Sequence, residues 1–520
     1  MPLDGVLQDA VLTKSEILSR STSMAIMTPQ FSLQADPYEI DREVTIDYIE
    51  RFFTSVDKQV SSAIPKASFV PWVKTFRQKS LSDHMMIYAV MAVGSVFVED
   101  STSYSYVSVL SEVVQEGIAQ CSDNLTFQLA TTYLLSTLLA ISQGEYNRAW
   151  NYCGSTMRTI LGLQFITEAG IHDGPKCGAW ESQFEITTLV ECRRQLTWST
   201  FIIECLNGCY TTPFLTATWS DYDLCLPCTE KPFQLREPFE LDTLKPLKAP
   251  DHNPKLADTH GDLKAFGHLI QIAAIFHEVA NFSYHQRFRS TPADAKPFQP
   301  FHNQIETRLN IWKKSLHSSQ KQSERTLCFF SLQILYHYTK LHLHRYIRHA
   351  ALDPVDKALH VKAAYSHAYQ ILELVQYLNS DEKTKSSLTN FRITSSCIEY
   401  AITTGLDVLT GTGKFSDLIN TGKITSVIAS GLEVLDDLAR FSRSAQRQRD
   451  LVKRRLSIML KVVTRRSWDQ RKAFYFKNPM FLRYNLDQDI VYGVTRMEYF
   501  EALDLQEGIT TGDFFELMED

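Results

Sequence analysis

The chain has 520 residues, of which 44% are hydrophobic, 11% aromatic and 22% charged. That is apolar material for a large interior, too little charge for a disordered chain, and a length that suggests more than one packed unit. The 53 Lys and Arg against 59 Asp and Glu leave a formal charge of −6, which excludes nucleic-acid binding through overall charge but not through local basic patches.

Residues 1–37 are rich in Ser, Thr, Gln and Asp and read as a loose leader, with one weak helical stretch near Val11 to Leu18. Asp4 and Asp9 stand where a secretion signal would need bases ahead of an apolar run. A soluble intracellular protein is the expectation, with its ten cysteines mostly thiols. From Tyr38 the pattern changes, and Ile46, Ile49, Phe52, Phe53 and Val56 recur at helical spacing. The longest apolar run, Met85 to Val98, is broken by Gly94 and Ser95. It is too short to span a bilayer and reads as a buried core helix.

Phe127, Ala130, Tyr133, Leu134, Thr137, Leu138 and Ile141 form one apolar stripe; Tyr146, Ala149, Trp150, Cys153, Met157, Ile160 and Leu161 form a second. The break at Gly144 makes the pair an antiparallel hairpin, and Gly162 is the expected left-handed cap. A third helix runs from about Phe184 to Leu206, stopping before Pro213. Seven of the 18 prolines then fall between Pro213 and Pro254, too many for a helix or a central strand. A long Pro-rich connection at about 213–260 is therefore expected, with a second Pro-bearing loop at Pro292, Pro297 and Pro300. Helical periodicity returns at Leu263 to Phe282, Ile305 to Leu316, Leu327 to His349, Val361 to Leu378, Phe391 to Leu409 and Ile424 to Arg440. No segment alternates as a strand would. The fold class is all-α, a multi-helix bundle built of antiparallel hairpins.

The end of the chain splits by charge. Arg443 to Lys472 carries eleven bases against two acids, whereas Glu498 to Asp520 carries eight acids and no base. Lys453, Arg454, Arg455, Arg465 and Arg466 are the candidate nuclear-import residues, although intervening apolar residues also fit the wet face of an amphipathic helix. Phe500, Leu503, Phe514, Phe515 and Leu517, set among acids, form a candidate activation tail. The resulting division is a leader at 1–37, a helical body at 38–440, a basic helical segment at 441–475 and an acidic-aromatic tail at 476–520.

Catalytic and metal-binding patterns are thin. Cys225 and Cys228 form a lone C-x-x-C with no second pair to complete a zinc site. His337, His342, His344 and His349 crowd one helix, but each same-face pair is two turns apart, and packing is the favoured reading. Asp436 and Asp437 invite comparison with terpene synthases, yet the next turn carries Ala439, Arg440 and Phe441 in place of the carboxylate that shared magnesium needs. No phosphate loop, nucleophile elbow or metalloprotease helix is present. Neither catalytic nor metal nor cofactor-binding residues are assigned.

Four stretches resemble the fungal-specific transcription factor domain, the middle homology region of zinc-binuclear-cluster regulators. Met86-Ile-Tyr-Ala-Val-Met-Ala-Val-Gly94 is similar to that family's "LLYAMLALGA" helix. Within Gln128 to Leu163, Tyr146, Ala149-Trp150, Gly154, Arg158 and Leu161-Gly162-Leu163 follow its "aW…G.A.R.A..LGL" pattern. The most specific stretch holds Glu191, Arg193, Arg194, Trp198, Phe201 and Glu204, then Pro213, Asp221, Asp223 and Pro227, against "E.RRR.WW..F..D…GRP..I…D.D..LP". A weaker fourth is Leu335-Tyr-His-Tyr338 with Leu343-His344-Arg345. Gln195, Thr197 and Thr211-Thr212 depart from the pattern.

These residues also have a plain structural reading. Glu191 and Arg194 are one turn apart and can pair, while Trp198 and Phe201 can anchor the helix. Arg193 is expected to hold the following loop through Asp221 or Asp223. The signature is thus a scaffold.

The resemblance implies a nuclear regulator of transcription controlling a metabolic or secondary-metabolite gene set. The family's DNA reader needs six cysteines around two zinc ions, and no cysteine precedes Cys121 here. Zinc is therefore expected only with a missing N-terminal cluster. Promoter DNA is an expected partner only through such a module or another protein. A coactivator or the transcription machinery, and a second copy of the chain, are the remaining candidate partners; a membrane is not. Two other readings stay open: a module that senses an effector in a pocket of the helical body, and, less favoured, an all-α enzyme with titratable groups around a deep pocket.

Overall fold

A computed structural model describes residues 31–56, 63–98, 103–174, 176, 178–227, 265–286, 298–319, 327–380, 396–410 and 422–463. Helices take 81% of these residues, in 17 segments with no strand, so the all-α class holds. The weak helix near Val11, the connection beyond Pro227 to residue 264, Arg465, Arg466 and the entire acidic tail lie outside the described residues.

The first half comprises α1 (Pro37–Ile40), α2 (Arg42–Ser55), α3 (Lys66–Thr75), α4 (Leu81–Ser95), α5 (Ser103–Cys121), α6 (Phe127–Ser142), α7 (Tyr146–Gly162), α8 (Glu168–Asp173), α9 (Gly178–Ser182) and α10 (Ile186–Leu206). The second comprises α11 (Ala265–Gln286), α12 (Phe298–Ser319), α13 (Leu327–Arg345), α14 (Pro354–Ser380), α15 (Ser396–Thr410), α16 (Gly422–Leu438) and α17 (Arg443–Val463).

Helix α4 is the central post of the first half. Ser80 and Asp83 close a capping box at its start, which satisfies backbone donors that a helix leaves orphaned. From Met85 to Ser95 every residue is buried, because α2, α5 and α6 cover different sides. A helix apolar all round is what such a position demands. Gly94 permits the crossing with α2: a Cβ there would overlap the backbone carbonyl of Tyr48.

The expected hairpin is α6 and α7. Gly144, with φ +71°, turns the chain between them. Gly162 is not the left-handed cap. That conformation falls to Gln164, φ 61°, while a Cβ at Gly162 would run into Leu125, so the glycine there serves close packing. Helix α10 packs on α7 and α11 and so joins the two halves. Beyond it α13, α14 and α15 stack in sequence, and a buried Arg345–Asp407 ion pair ties α13 to α15.

Two expectations at boundaries are corrected. The body begins before Tyr38, since Phe31 and Leu33 are buried in the core and the Tyr88 hydroxyl donates to the carbonyls of Ser32 and Ala35 at 2.9 and 3.1 Å. Two apolar residues in a polar stretch carry no periodicity, so composition hides them. Pro300 lies not in a loop but in the first turn of α12, where a missing N–H costs nothing. The basic helix α17 packs on α15 and α16 through Ala445, Gln448 and Val452, because its apolar stripe needs a partner surface.

Candidate functional site

The signature residues build a strap anchorage. In α10 both arginines are fully buried, and each is neutralised by carboxylates. Arg194 pairs with Glu191 one turn earlier at 2.5 Å and with Glu168 of α8 at 2.8 Å. Burial alone would raise the Glu168 carboxyl, but Arg194 and the Cys225 N–H outweigh it and hold it below its ordinary value.

Arg193 does not hold Asp221 or Asp223. Its partner is Glu181 of α9, at 2.9 Å, and its guanidinium also donates to the carbonyls of Ile171 and Gly174 at 3.0 and 2.9 Å. It thereby gathers α8 and α9 onto α10. The reason is geometric: the exposed Asp221 side chain is spent locally, accepting from the Thr218 N–H at 2.6 Å and hydroxyl at 2.7 Å. Asp223 contributes backbone, its N–H donating to Ile166 at 3.0 Å and its carbonyl accepting from Glu168 at 2.8 Å.

Residues 211–227 are pinned by other groups. Trp198 Nε1 donates to the Cys225 carbonyl at 2.8 Å, and Glu168 accepts from the Cys225 N–H at 2.7 Å. Glu204 accepts from the Thr216 N–H and hydroxyl; burial nevertheless pushes its carboxyl up to about 6. Trp198 stacks on Tyr222 with ring centroids 5.4 Å apart and meets Phe201 edge-on. Pro213 and Pro227 are buried at the two ends.

A cleft of about 390 Å³ opens between α4, α5, α6, α7 and the start of α17. Ala89, Ala92 and Leu135 form part of its wall, while Glu112, Glu145, Arg148 and Arg443 bring charge of both signs to it. Its volume lies in the range of small-molecule sites. Arg148 pairs with Glu145, three residues earlier at the start of α7, at 2.7 Å. No sequence pattern marked this cleft, because its lining comes from five separated helices.

Of the candidate import residues, Lys453 is half exposed and bonded to Asp436 at 2.7 Å, and Arg454 and Arg455 continue the same helix. Asp436 also faces Arg449, and Asp437 faces Arg440. The two aspartates therefore serve as ion-pair partners on the surface of α16. The described cysteines, Cys225 among them, are free thiols, and Cys228 lies outside the described residues. Phe500, Leu503, Phe514, Phe515 and Leu517 also lie outside them.

The signature residues thus form a scaffold that holds residues 211–227 against α8 and α10. A family model described as the fungal specific transcription factor domain matches residues 49–314. The chain belongs to that family, and its role is that of a transcription-factor regulatory domain, a family of regulators and not of enzymes. The matched residues include three of the four resembling stretches; Leu335 to Arg345 falls beyond them. No curated protein matches the chain. No helix among the described residues is long and apolar enough to cross a membrane.

Proposed function

We propose that the protein is a nuclear regulator of transcription controlling a metabolic or secondary-metabolite gene set. Its helical body is the regulatory part, and its acidic-aromatic tail recruits a coactivator. The observation that carries the reading is the family match over residues 49–314, with the Glu191 to Pro227 signature folded into a closed anchorage. Promoter contact comes through a zinc module joined to this chain or through a partner protein. Acids around Phe500, Leu503, Phe514, Phe515 and Leu517 would keep those side chains solvated until they dock.

The test is a reporter assay with the full chain fused to a heterologous DNA-binding module. Expected is nuclear fluorescence of a tagged chain and reporter activation that falls at least severalfold when Phe514 and Phe515 are both changed to Ala. An inert fusion, or activation indifferent to that change, would remove the tail from the account.

A second reading, effector sensing, is favoured by the cleft of about 390 Å³. Because Arg443 opens α17 and lines that cleft, a bound metabolite would bear directly on the basic helix.

A further inference from the structure

Sequence spacing set the histidines of α13 too far apart to share an ion. Folding brings one of them, His344, against His302 of α12 and His360 of α14. Each ring offers a nitrogen, and the three nitrogens all lie within 4.8 Å of one another. The ring centroids form a near-equilateral triangle with sides of 5.3, 5.0 and 5.1 Å. All three residues are buried.

We propose that His302, His344 and His360 bind a zinc-type divalent transition-metal ion, with Glu306 orienting His344. Three neutral imidazoles suit zinc, whose bonds to histidine nitrogen of roughly 2.0–2.1 Å set tetrahedral ligand atoms about 3.3 Å apart. The Nδ1 atoms of His344 and His360 are already 2.8 Å from each other. Small rotations of His302 and a slight opening of that pair would complete three corners, leaving the fourth for water. His344 turns its other nitrogen, Nε2, toward Glu306 Oε1 at 3.6 Å. A carboxylate behind a ligating histidine is the usual device for fixing the ring's tautomer and orientation.

Such an ion would also satisfy the ring nitrogens that protein groups meet poorly. His302 is buried without a close hydrogen bond to either ring nitrogen, its Nε2 standing 3.9 Å from Glu306 Oε1, and poorly satisfied buried polar atoms are expensive. A cation accepting three lone pairs removes that cost. Burial holds the imidazoles of His302, His344 and His360 below their ordinary pKa, the last at about 3, so their lone pairs are available at neutral pH. Glu306 balances the nearby Lys340 ammonium, with which it pairs. Asp356, at the start of α14, adds negative charge felt at His302. Phe298 packs its ring against both His302 and His360, walling off one side. A bound ion would staple α12, α13 and α14 together.

The full chain, freed of metal by chelator and dialysis, should be titrated with cobalt(II) as a spectroscopic stand-in and with zinc(II) in competition. Expected is one cobalt per chain with the intense visible bands of tetrahedral coordination, displaced by zinc. His360→Gln, which removes a ligand, should abolish measurable binding while leaving helical circular dichroism unchanged. Glu306→Gln should weaken it by about 10- to 100-fold and alter the band pattern. Absence of cobalt binding to the wild-type chain would overturn the proposal whatever the variants do. Binding that survives in His302→Gln/His360→Gln, or bands showing sulfur ligation, would place the metal elsewhere and overturn it equally.

Discussion

Arg193 and Asp221 are two charged residues of one signature, and they have opposite energetic weight. Arg193 is buried with its whole guanidinium engaged by Glu181, Ile171 and Gly174. Removing it leaves the Glu181 carboxylate uncompensated in a dry interior, where such losses cost about 3–5 kcal/mol. Arg193→Ala should therefore lower the denaturation midpoint sharply in chemical unfolding. Asp221→Ala should leave that midpoint near wild type, since its exposed carboxylate only caps Thr218. Equal effects from the two variants would show that the loop, and not α8 and α9, depends on Arg193. The Glu191–Arg194 pair was legible in the sequence because three residues make one helical turn. The Arg193 partner was not: Glu181 sits on a separate short helix, and no local rule links the two.

For the helices, apolar period and glycine placement carried most of the information. The two stripes around Gly144 became α6 and α7, and the continuous apolar run became the enclosed α4. What period cannot reveal is how closely two helices cross. Gly94 is a poor helix former inside α4, and it is there because the Tyr48 backbone passes over it. Gly94→Ala, a change that improves helix propensity, should instead destabilise the chain by about 1–3 kcal/mol through overpacking. Thermal unfolding would check this, and a raised melting temperature would mean that α2 can move aside. Pro300 misled for a related reason. A proline reads as a breaker until its place in a helix is known, and in the first turn it breaks nothing.

The whole molecule buries titratable groups of opposite tendency, and its stability should carry both signatures. Burial pushes the His277 imidazole from 6.5 down to about 4. Between those values the unfolded chain binds a proton that the folded chain refuses, so stability is lost as pH falls through that window. From pH 7 to pH 5 the loss is about 2 kcal/mol for this group; His277→Gln should remove it. Glu399 behaves in reverse. Burial raises its carboxyl from 4.5 to about 7, against the pull of the Ser442 and Ser444 hydroxyls. The folded chain then holds the extra proton, and stability declines as pH rises from 5 to 8, by about 2–3 kcal/mol. Glu399→Gln should flatten that decline, as read from denaturant midpoints at the two pH values. Because Glu399 faces the start of α17, the same variant reports how firmly the basic helix is seated.

Sequence alone determined that the chain is helical, where most of its helices run, and that residues Glu191 to Pro227 belong to a regulator of transcription. Those properties are written in spacing along one strand of covalent chain, at separations of three, four or a few tens of residues. Tertiary structure alone decided which carboxylate answers Arg193, where a cleft opens among five helices, and that His302, His344 and His360 meet. Such features depend on side chains brought together from distant segments, and the energy that brings them together belongs to the packed core, in which no single stretch of sequence has its partners adjacent.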